Sequence, residues 1–512
     1  MRRAARPAAP SRAAREVPLL LALAVGCSLL MLVPALHALA LDDEATARAF
    51  GWAGLLFATL GTLAAIAVSG RGARRPARSH LLVLPGFYGA LPLLLAVPFA
   101  EATGTPFLAA YVEMVSGLTT TGFTFFDPAL LVAPAHLWRA LVGWVGGLFI
   151  WVAAAAILAP MNLGGFEVGA AEDAGRVFEP LDREGAVVRP TERMARFAAD
   201  IAPIYVGLTF LLWTALVAAG ERPFVAVCHA MSALSTSGIS PVGGLQDGTS
   251  GVMGEALIAL FLVLALSRPP FLPGGSRGLR QAAWDAELRL ASLLILGTTA
   301  LLFLSHWLGA ATEGEAENLR AAAAALWGSF FTVMGFLTTA GFESAYWDAA
   351  QAWSGLGTIG PILIALSLVG GGVATTAGGI KLFRIYALAM HGARELERLT
   401  HPSSVGGSGR RARRIRRQGA RIAFVFFMLF NLALALVTMA LAATGLDFEN
   451  AMTLAAAALA NAGQLALSAP ASPVPPAEFT TPVRLILALA MVLGRLEMLA
   501  VVALLNPNLW RA

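Results

Sequence analysis

Four short stretches place hydroxyl groups and glycine inside otherwise apolar sequence: "VSGLTTTGFTFF" from Val115, "MSALSTSGISPVGG" from Met231, "MGFLTTAGFESA" from Met334 and "AALANAGQLALS" from Ala457. Loops between apolar runs usually turn charged, and these do not. Hydroxyl and backbone carbonyl oxygens can replace the hydration shell of a small cation, and glycine permits the unusual backbone angles needed to aim the carbonyls. The chemistry on offer is ion coordination rather than bond cleavage. For one such cluster alone, close packing of helices explains Ser, Thr and Gly more simply. Four clusters at equivalent positions reverse that preference.

The elements that must hold these clusters follow from composition. A chain of 512 residues with 57% hydrophobic and 13% charged content is far from the soluble norm and reads as an all-α polytopic membrane protein. Ten apolar runs approach the roughly 20 residues of helix that cross a bilayer. They are 17–40, 53–69, 80–100, 137–160, 197–219, 253–270, 287–308, 355–374, 421–443 and 482–505. Between many of them lies a shorter apolar stretch, too short to cross: "PFLAAYVEMVSGL", "PFVAVCHAMSAL", "AAAALWGSFFTVMGFL" and "FENAMTLAAAALA". Each ends in one of the four clusters. Span, short helix, cluster and span therefore form one unit, repeated around Gly122, Gly238, Gly341 and Gly463. The expected division is 1–70 for an N-terminal two-span unit, then 71–175, 176–275, 276–400 and 401–512 for repeats 1 to 4. Irregular backbone at membrane depth persists only where it is buried in protein or lines a water-filled cavity. The clusters are accordingly expected to meet around one central pore, with the partially negative C-termini of the short helices aimed at the ion.

Lys and Arg in short loops mark the cytoplasmic side of a membrane. With ten spans and an inside N-terminus, Arg48, Arg222 and Arg320 fall in outer loops and Arg139, Arg484 and Arg495 in spans; every other Lys or Arg of the 36 falls inside. Both termini are expected to be cytoplasmic. The leader "MRRAARPAAPSRAAR", followed by an apolar run and "ALHALA", resembles a cleavable signal. The run exceeds the roughly 7–15 residues of a signal core, so an anchor is expected instead. The basic run "GRRARRIRRQGAR" from Gly409 abuts a span, which favours anionic lipid headgroups or a cytosolic partner over nucleic acid. Cys27 and Cys228 lie far apart in sequence and define no disulfide framework, and the seven histidines lack metal-binding spacing. The spans are nearly free of paired acidic, His or Cys residues, which argues against an enzyme or an organic-solute carrier.

With these motifs in place, the chain resembles the TrkH/KtrB (Trk/Ktr/HKT) superfamily of potassium uptake proteins over nearly its whole length. The resemblance rests on "TTTGF" at 119–123, "STSGIS" at 235–240, "TTAGFES" at 338–344, "GGGVATTAGGIKLFR" at 370–384 and "MVLGRLEMLAVVALLNPNLW" ending at Trp510. The extra N-terminal pair of spans favours the TrkH branch. The resemblance implies the ion-translocating subunit of a bacterial inner-membrane potassium uptake system, with K+ as the transported ion. It implies a homodimer gated by cytosolic TrkA-type subunits that bind nucleotide; no strand followed by G-x-G-x-x-G is found in this chain, so no cofactor is expected on it. It further implies a selectivity filter made of Thr120, Thr121, Gly122 and Phe123, of Thr236, Ser237, Gly238 and Ile239, of Thr339, Ala340, Gly341 and Phe342, and of Asn461, Ala462, Gly463 and Gln464. A glycine in all four units accompanies potassium selectivity in the family, whereas a serine replacing the first accompanies sodium transport in some plant relatives. The alternative is a sodium-permeable or ion-coupled transporter of the same fold. The fourth cluster, "NAGQ", lacks the hydroxyls of the others.

Two departures from apolar helix remain. Gly370, Gly371, Gly372, Gly378 and Gly379 crowd the eighth span around Thr375 and Thr376, ahead of Lys381, the sole lysine. Glycine costs about 1 kcal/mol in a helix interior, so this density is expected to break the helix. A kink for close packing explains it equally well without the resemblance, which implies an intramembrane gating loop below the filter. Arg495 lies inside the last span, where insertion of an arginine costs at least about 2.5–3.5 kcal/mol and points to function. The resemblance implies that it faces the pore as a barrier. Glu497, two positions on, is expected on nearly the opposite helix face, touching a neighbouring helix or the loop. Glu113, in the first short helix, is expected to satisfy groups behind the filter.

Overall fold

The computed structural model describes residues 19–68, 82–161, 163–166, 190–267, 285–309, 319–401, 417–498 and 501. The basic leader, most of the basic run from Gly409 and the "NPNLW" end lie outside the described residues. Regular structure among the described residues is helical throughout.

An N-terminal hairpin is built from α1 (Leu19–Leu30), α2 (Leu32–Ala40) and α3 (Glu44–Val68). Pro34 leaves the Leu30 carbonyl without a helical donor, which accounts for the break at Met31 that splits the first span. The first unit follows as α4 (Leu91–Thr103), α5 (Phe107–Leu118) and α6 (Ala133–Ala153). The second is α7 (Pro190–Ala218), α8 (Pro223–Ser235) and α9 (Gly251–Leu262). The third comprises α10 (Ala286–Gly309), α11 (Leu319–Leu337), α12 (Trp347–Ser354), α13 (Gly360–Val369) and α14 (Leu382–Thr400). The fourth is α15 (Arg417–Ala442), α16 (Phe448–Ala460) and α17 (Thr481–Arg495).

Packing closes these units into a ring. The second span of each unit lies against the short helix of the next: α6 on α8, α9 on α11, α13 on α16, and finally α17 back on α5. The N-terminal hairpin stays outside it, against α4 and α6. The short helices of units one, two and four are largely enclosed, as is α6; Ala455 to Ala460 of α16 are buried without interruption, and the alanines among them let helices approach closely.

Among the described residues eight helices are long and apolar enough to cross a membrane, and all but Arg320–Leu337 coincide with expected spans. That exception corrects an expectation, since the third short helix has 19 residues. Its alanine-rich start has high helix propensity and extends the helix outward. The spans expected at 253–270, 355–374 and 482–505 are also shorter than a full crossing. Helix α9 passes into a 3-10 turn at Val263–Ala265, α13 stops at Val369, and α17 stops at Arg495, before Glu497 turns left-handed. Past α13 an irregular segment, residues 370–381, takes the place of helix, whereas past Glu497 helical structure resumes at Met498.

One ion pair fastens the ring from inside. Arg139 of α6 donates its Nε to Glu113 Oε1 of α5 at 2.6 Å, and Glu113 Oε2 accepts the Phe125 N–H at 2.9 Å. Removing one member of a buried pair strands the other, at about 3–5 kcal/mol, whereas replacing both with apolar groups is often neutral. Arg139→Ala is therefore expected to lower the thermal unfolding temperature of the purified protein strongly. Glu113→Gln keeps an acceptor for the Phe125 N–H without a buried charge, so combined with Arg139→Met it should recover part of that loss in the same melt.

Candidate functional site

Each short helix ends in the same way. Thr120, Thr236, Thr339 and Asn461 adopt left-handed backbone, with φ of 56°, 52°, 57° and 54°. Asparagine is at home there, but a β-branched threonine is not, and three strained threonines at equivalent positions point to a functional demand. The turns are Schellman motifs in units one, two and four. In unit one, for example, the Thr120 N–H donates to Gly117 O and the Thr121 N–H to Ser116 O, at 2.8 and 2.9 Å. The residue before the left-handed one donates its hydroxyl four residues back in three units, from Thr119, Ser235 and Thr338, at 2.7–2.8 Å. Unit four has Ala460 in that place. The partial negative charge of the four helix C-termini thereby gathers at the clusters.

The clusters converge in chain order. A Cβ on Gly122 would collide with the Ser237 carbonyl oxygen, and one on Gly238 with the Ala340 carbonyl oxygen. On Gly341 it would stand 2.8 Å from Gln464 Cβ, and on Gly463 it would strike Phe123 N and the Thr121 carbonyl. Unit one thus faces two, two faces three, three faces four and four faces one. Gly122, Gly238 and Gly341 have φ of 72°, 64° and 68°, whereas Gly463 is not left-handed. Its glycine is required by close approach alone: its N–H donates to Thr121 O at 2.7 Å, and a short helical turn, Leu465–Ser468, follows.

Side chains mostly turn away from this ring. Phe123, Ile239 and Phe342 are buried, Phe123 stacking on Phe479 with ring centroids 5.8 Å apart. Gln464 differs, its Nε2 reaching the Gly238 carbonyl at 3.3 Å. Asn461 Nδ2 donates to Thr121 Oγ1 at 2.9 Å, and the buried Thr120 hydroxyl has no partner among the described residues. Ala340 and Ala462 contribute only backbone and a buried methyl.

Buried side chains brace the ring from behind. Glu113, His229 and Thr332, each nine residues before a cluster glycine, bond Phe125 N, Ser240 Oγ and Ser344 N of the outgoing segments. In unit four that position is Leu454. Glu255 of α9 accepts from Trp327 Nε1, Ser344 Oγ and Ala345 N at 2.6–2.7 Å, joining units two and three. Arg139 and Glu255 each lie 17 residues after a cluster glycine, a regularity that could have exposed both in the sequence.

Residues 370–381 form an irregular loop directly beneath the clusters. Gly370, Ala374, Gly379 and Lys381 are left-handed, and the chain doubles back so that Ile380, Lys381 and Leu382 donate to Leu368 O, Val369 O and Gly371 O. The Gly372 N–H reaches Ala265 O of unit two, and the Val373 N–H donates to buried Glu287 Oε1 at 2.8 Å. Thr375 closes the loop on Gly372 O, while the Thr376 hydroxyl points at Leu234 O, 3.4 Å away at the end of α8. The Gly378 N–H donates to Thr339 Oγ1 at 2.7 Å, and a Cβ on Gly378 would collide with Ala460 O. The loop thereby touches the inner ends of three short helices. Lys381 Nζ donates back to Ala377 O.

Arg495 and Glu497 part company for a reason other than the one expected. The helix ends at Arg495 and Glu497 has φ of 64°, so helical spacing does not relate them. Glu497 Oε2 accepts from Arg384 Nη2 at 2.8 Å, and Arg384, fully buried just past the loop, also lies 3.6 Å from the Phe426 ring centroid. This pair fits the contact expected of Glu497 with a neighbouring helix or the loop, but the sequence did not single out Arg384, 113 positions away, as the partner. Arg495 is buried, with Nε and Nη2 lacking hydrogen-bond partners among the described residues.

Known proteins share this architecture. The TrkH family, described as "Cation transport protein", matches residues 285–511. A Trk system potassium uptake protein TrkH from Halomonas elongata is 31% identical over 468 residues, 88% of this chain and 90% of that one. The TrkH of Vibrio parahaemolyticus is 29% identical over 536 residues, covering 97% and 99%. The crystal structure of the potassium transporter TrkH from Vibrio parahaemolyticus superimposes with a TM-score of 0.78, at 26% identity over 96% of this chain and 98% of that one. Four units closed into a ring, with irregular backbone at their inner ends and relatives matched almost end to end, make this multi-pass membrane protein a member of the TrkH family of transport proteins, which are not enzymes.

Proposed function

We propose that the chain is the ion-translocating subunit of a Trk-type potassium uptake system, with the four clusters as its selectivity filter and residues 370–381 as its gate. The observation that carries this reading is the closed order of the clusters, each glycine placed against the backbone of the next unit. The filter comprises Thr120 to Phe123, Thr236 to Ile239, Thr339 to Phe342 and Asn461 to Gln464, whose carbonyls take over the hydration of a potassium ion passing along the axis. Packing supports the four repeats as units, and the distribution of Lys and Arg supports cytoplasmic termini. Family resemblance supports a homodimer in the bacterial inner membrane with TrkA-type nucleotide-binding subunits on its cytosolic side.

The gate obstructs the pathway through two features. Gly378 seats the loop against the ends of two short helices, on the Thr339 hydroxyl and under the Ala460 carbonyl. Arg495, a buried cation in the last helix, opposes passage of another cation. The Arg384–Glu497 pair ties the exit of the loop to the end of α17, so loop movement draws on the same contact. A second reading, sodium permeability or ion coupling, is favoured by Gln464, whose amide occupies the Gly238 carbonyl.

The filter is tested by growth of a potassium-uptake-deficient bacterium in low potassium, alongside uptake of labelled rubidium and sodium. Wild type is expected to restore growth. Gly122→Ser, at unchanged protein level, should cut the rubidium-to-sodium ratio roughly tenfold, equivalent to about 1.4 kcal/mol. Sodium uptake without rubidium uptake in the wild type would decide for the second reading. For the gate, Arg495→Ala and Gly378→Ala are each expected to raise rubidium flux, the first by removing a positive barrier and the second by displacing the loop. Reduced flux in both, with normal folding, contradicts the gate.

A further inference from the structure

Glu343 is the one charged residue within four positions of any cluster glycine, standing two residues after Gly341. Its surroundings differ from those of the other enclosed acids. Glu113 is met by Arg139 and Phe125 N, Glu255 by three donors, and Glu221 by the backbone and hydroxyl groups of Thr249 and Ser250. Glu343 Oε1 is buried and has no partner among the described residues, and Oε2 receives a long contact from Gln246 Nε2 at 3.5 Å. Ser468, on the turn that leaves the fourth cluster, sets its hydroxyl within reach of the carboxylate, but that hydroxyl donates to Gln464 O at 3.0 Å. Gln246 belongs to the segment leaving unit two, so the carboxylate stands where units two, three and four converge on the side of the clusters away from the loop. Asp348 adds negative charge nearby, and no cationic side chain among the described residues pairs with Glu343. A desolvated carboxylate oxygen without a donor is costly, and a cation is the natural complement.

We infer that Glu343 forms an external recruiting site for a monovalent alkali cation, holding the ion at the outer mouth before it enters the ring. The inference rests on the proposed transport function and deepens it. The carboxylate raises the local cation concentration and replaces part of the hydration shell with Oε1, while the chemistry of the ring is unchanged. It acts on capture rather than on passage.

The test is the initial rate of rubidium uptake by the full chain in proteoliposomes, against external rubidium, for wild type, Glu343→Gln and Glu343→Asp. Glutamine keeps the volume and the contact with Gln246 but removes the charge. Glu343→Gln is expected to raise the half-saturating concentration roughly three- to tenfold at unchanged maximal rate, as loss of one nearby charge demands. Glu343→Asp should stay near wild type, and added choline chloride should shrink the difference between wild type and Glu343→Gln. An unchanged half-saturation in Glu343→Gln, a loss confined to maximal rate, or an equal rise in Glu343→Asp overturns the inference. Rubidium-dependent protection of the purified chain against thermal unfolding gives a readout that needs no transport. If the wild type moves no rubidium, the transport function fails, and the midpoint of that protection decides alone: the same roughly three- to tenfold rise in Glu343→Gln upholds the external site, and an unchanged midpoint overturns it.

Discussion

Backbone polar groups that leave a helix at membrane depth must find partners inside the protein, and this constraint organises the molecule. Four short helices end where a lone chain would be unable to pay their carbonyls off against water. The left-handed residues at 120, 236, 339 and 461 turn the chain so that each segment meets its neighbour, and no segment is complete without the others. The spans serve this arrangement by closing the circle, α17 returning to α5.

The same constraint explains where charge is tolerated. Glu113, Arg139, Glu255 and Arg384 are buried, and each is met by named partners that join different parts of the chain. Glu113 and Arg139 brace the first cluster, Glu255 joins units two and three, and Arg384 joins the loop to the last helix. Arg495 is buried with Nε and Nη2 lacking partners among the described residues, and under the proposed function it is the cation that opposes the traffic. A satisfied charge holds the ring, whereas the proposed function gives the incompletely matched one a part in what passes.

The clusters were legible because a glycine recurs in four units and hydroxyls accompany it at equal offsets in three, and the loop because five glycines crowd one span. Helix ends were less legible. "GRLEML" does not announce the left-handed turn at Glu497, which coincides with a tertiary contact to Arg384 far away in sequence. Gly463 looked equivalent to the other three glycines, yet its backbone differs, since Asn461 and Gln464 bond neighbouring segments and a helical turn begins at Leu465. The pairing of residues 384 and 497 has no local signal at all, whereas Arg139 and Glu255 share an offset that repeat alignment makes visible.

The central claim is that the four clusters jointly surround one cation pathway. Anomalous scattering from rubidium in crystals of the purified protein tests it most directly. The account predicts rubidium on the axis enclosed by residues 120–122, 236–238, 339–341 and 461–463. Rubidium bound elsewhere in the membrane domain with none on that axis would contradict it.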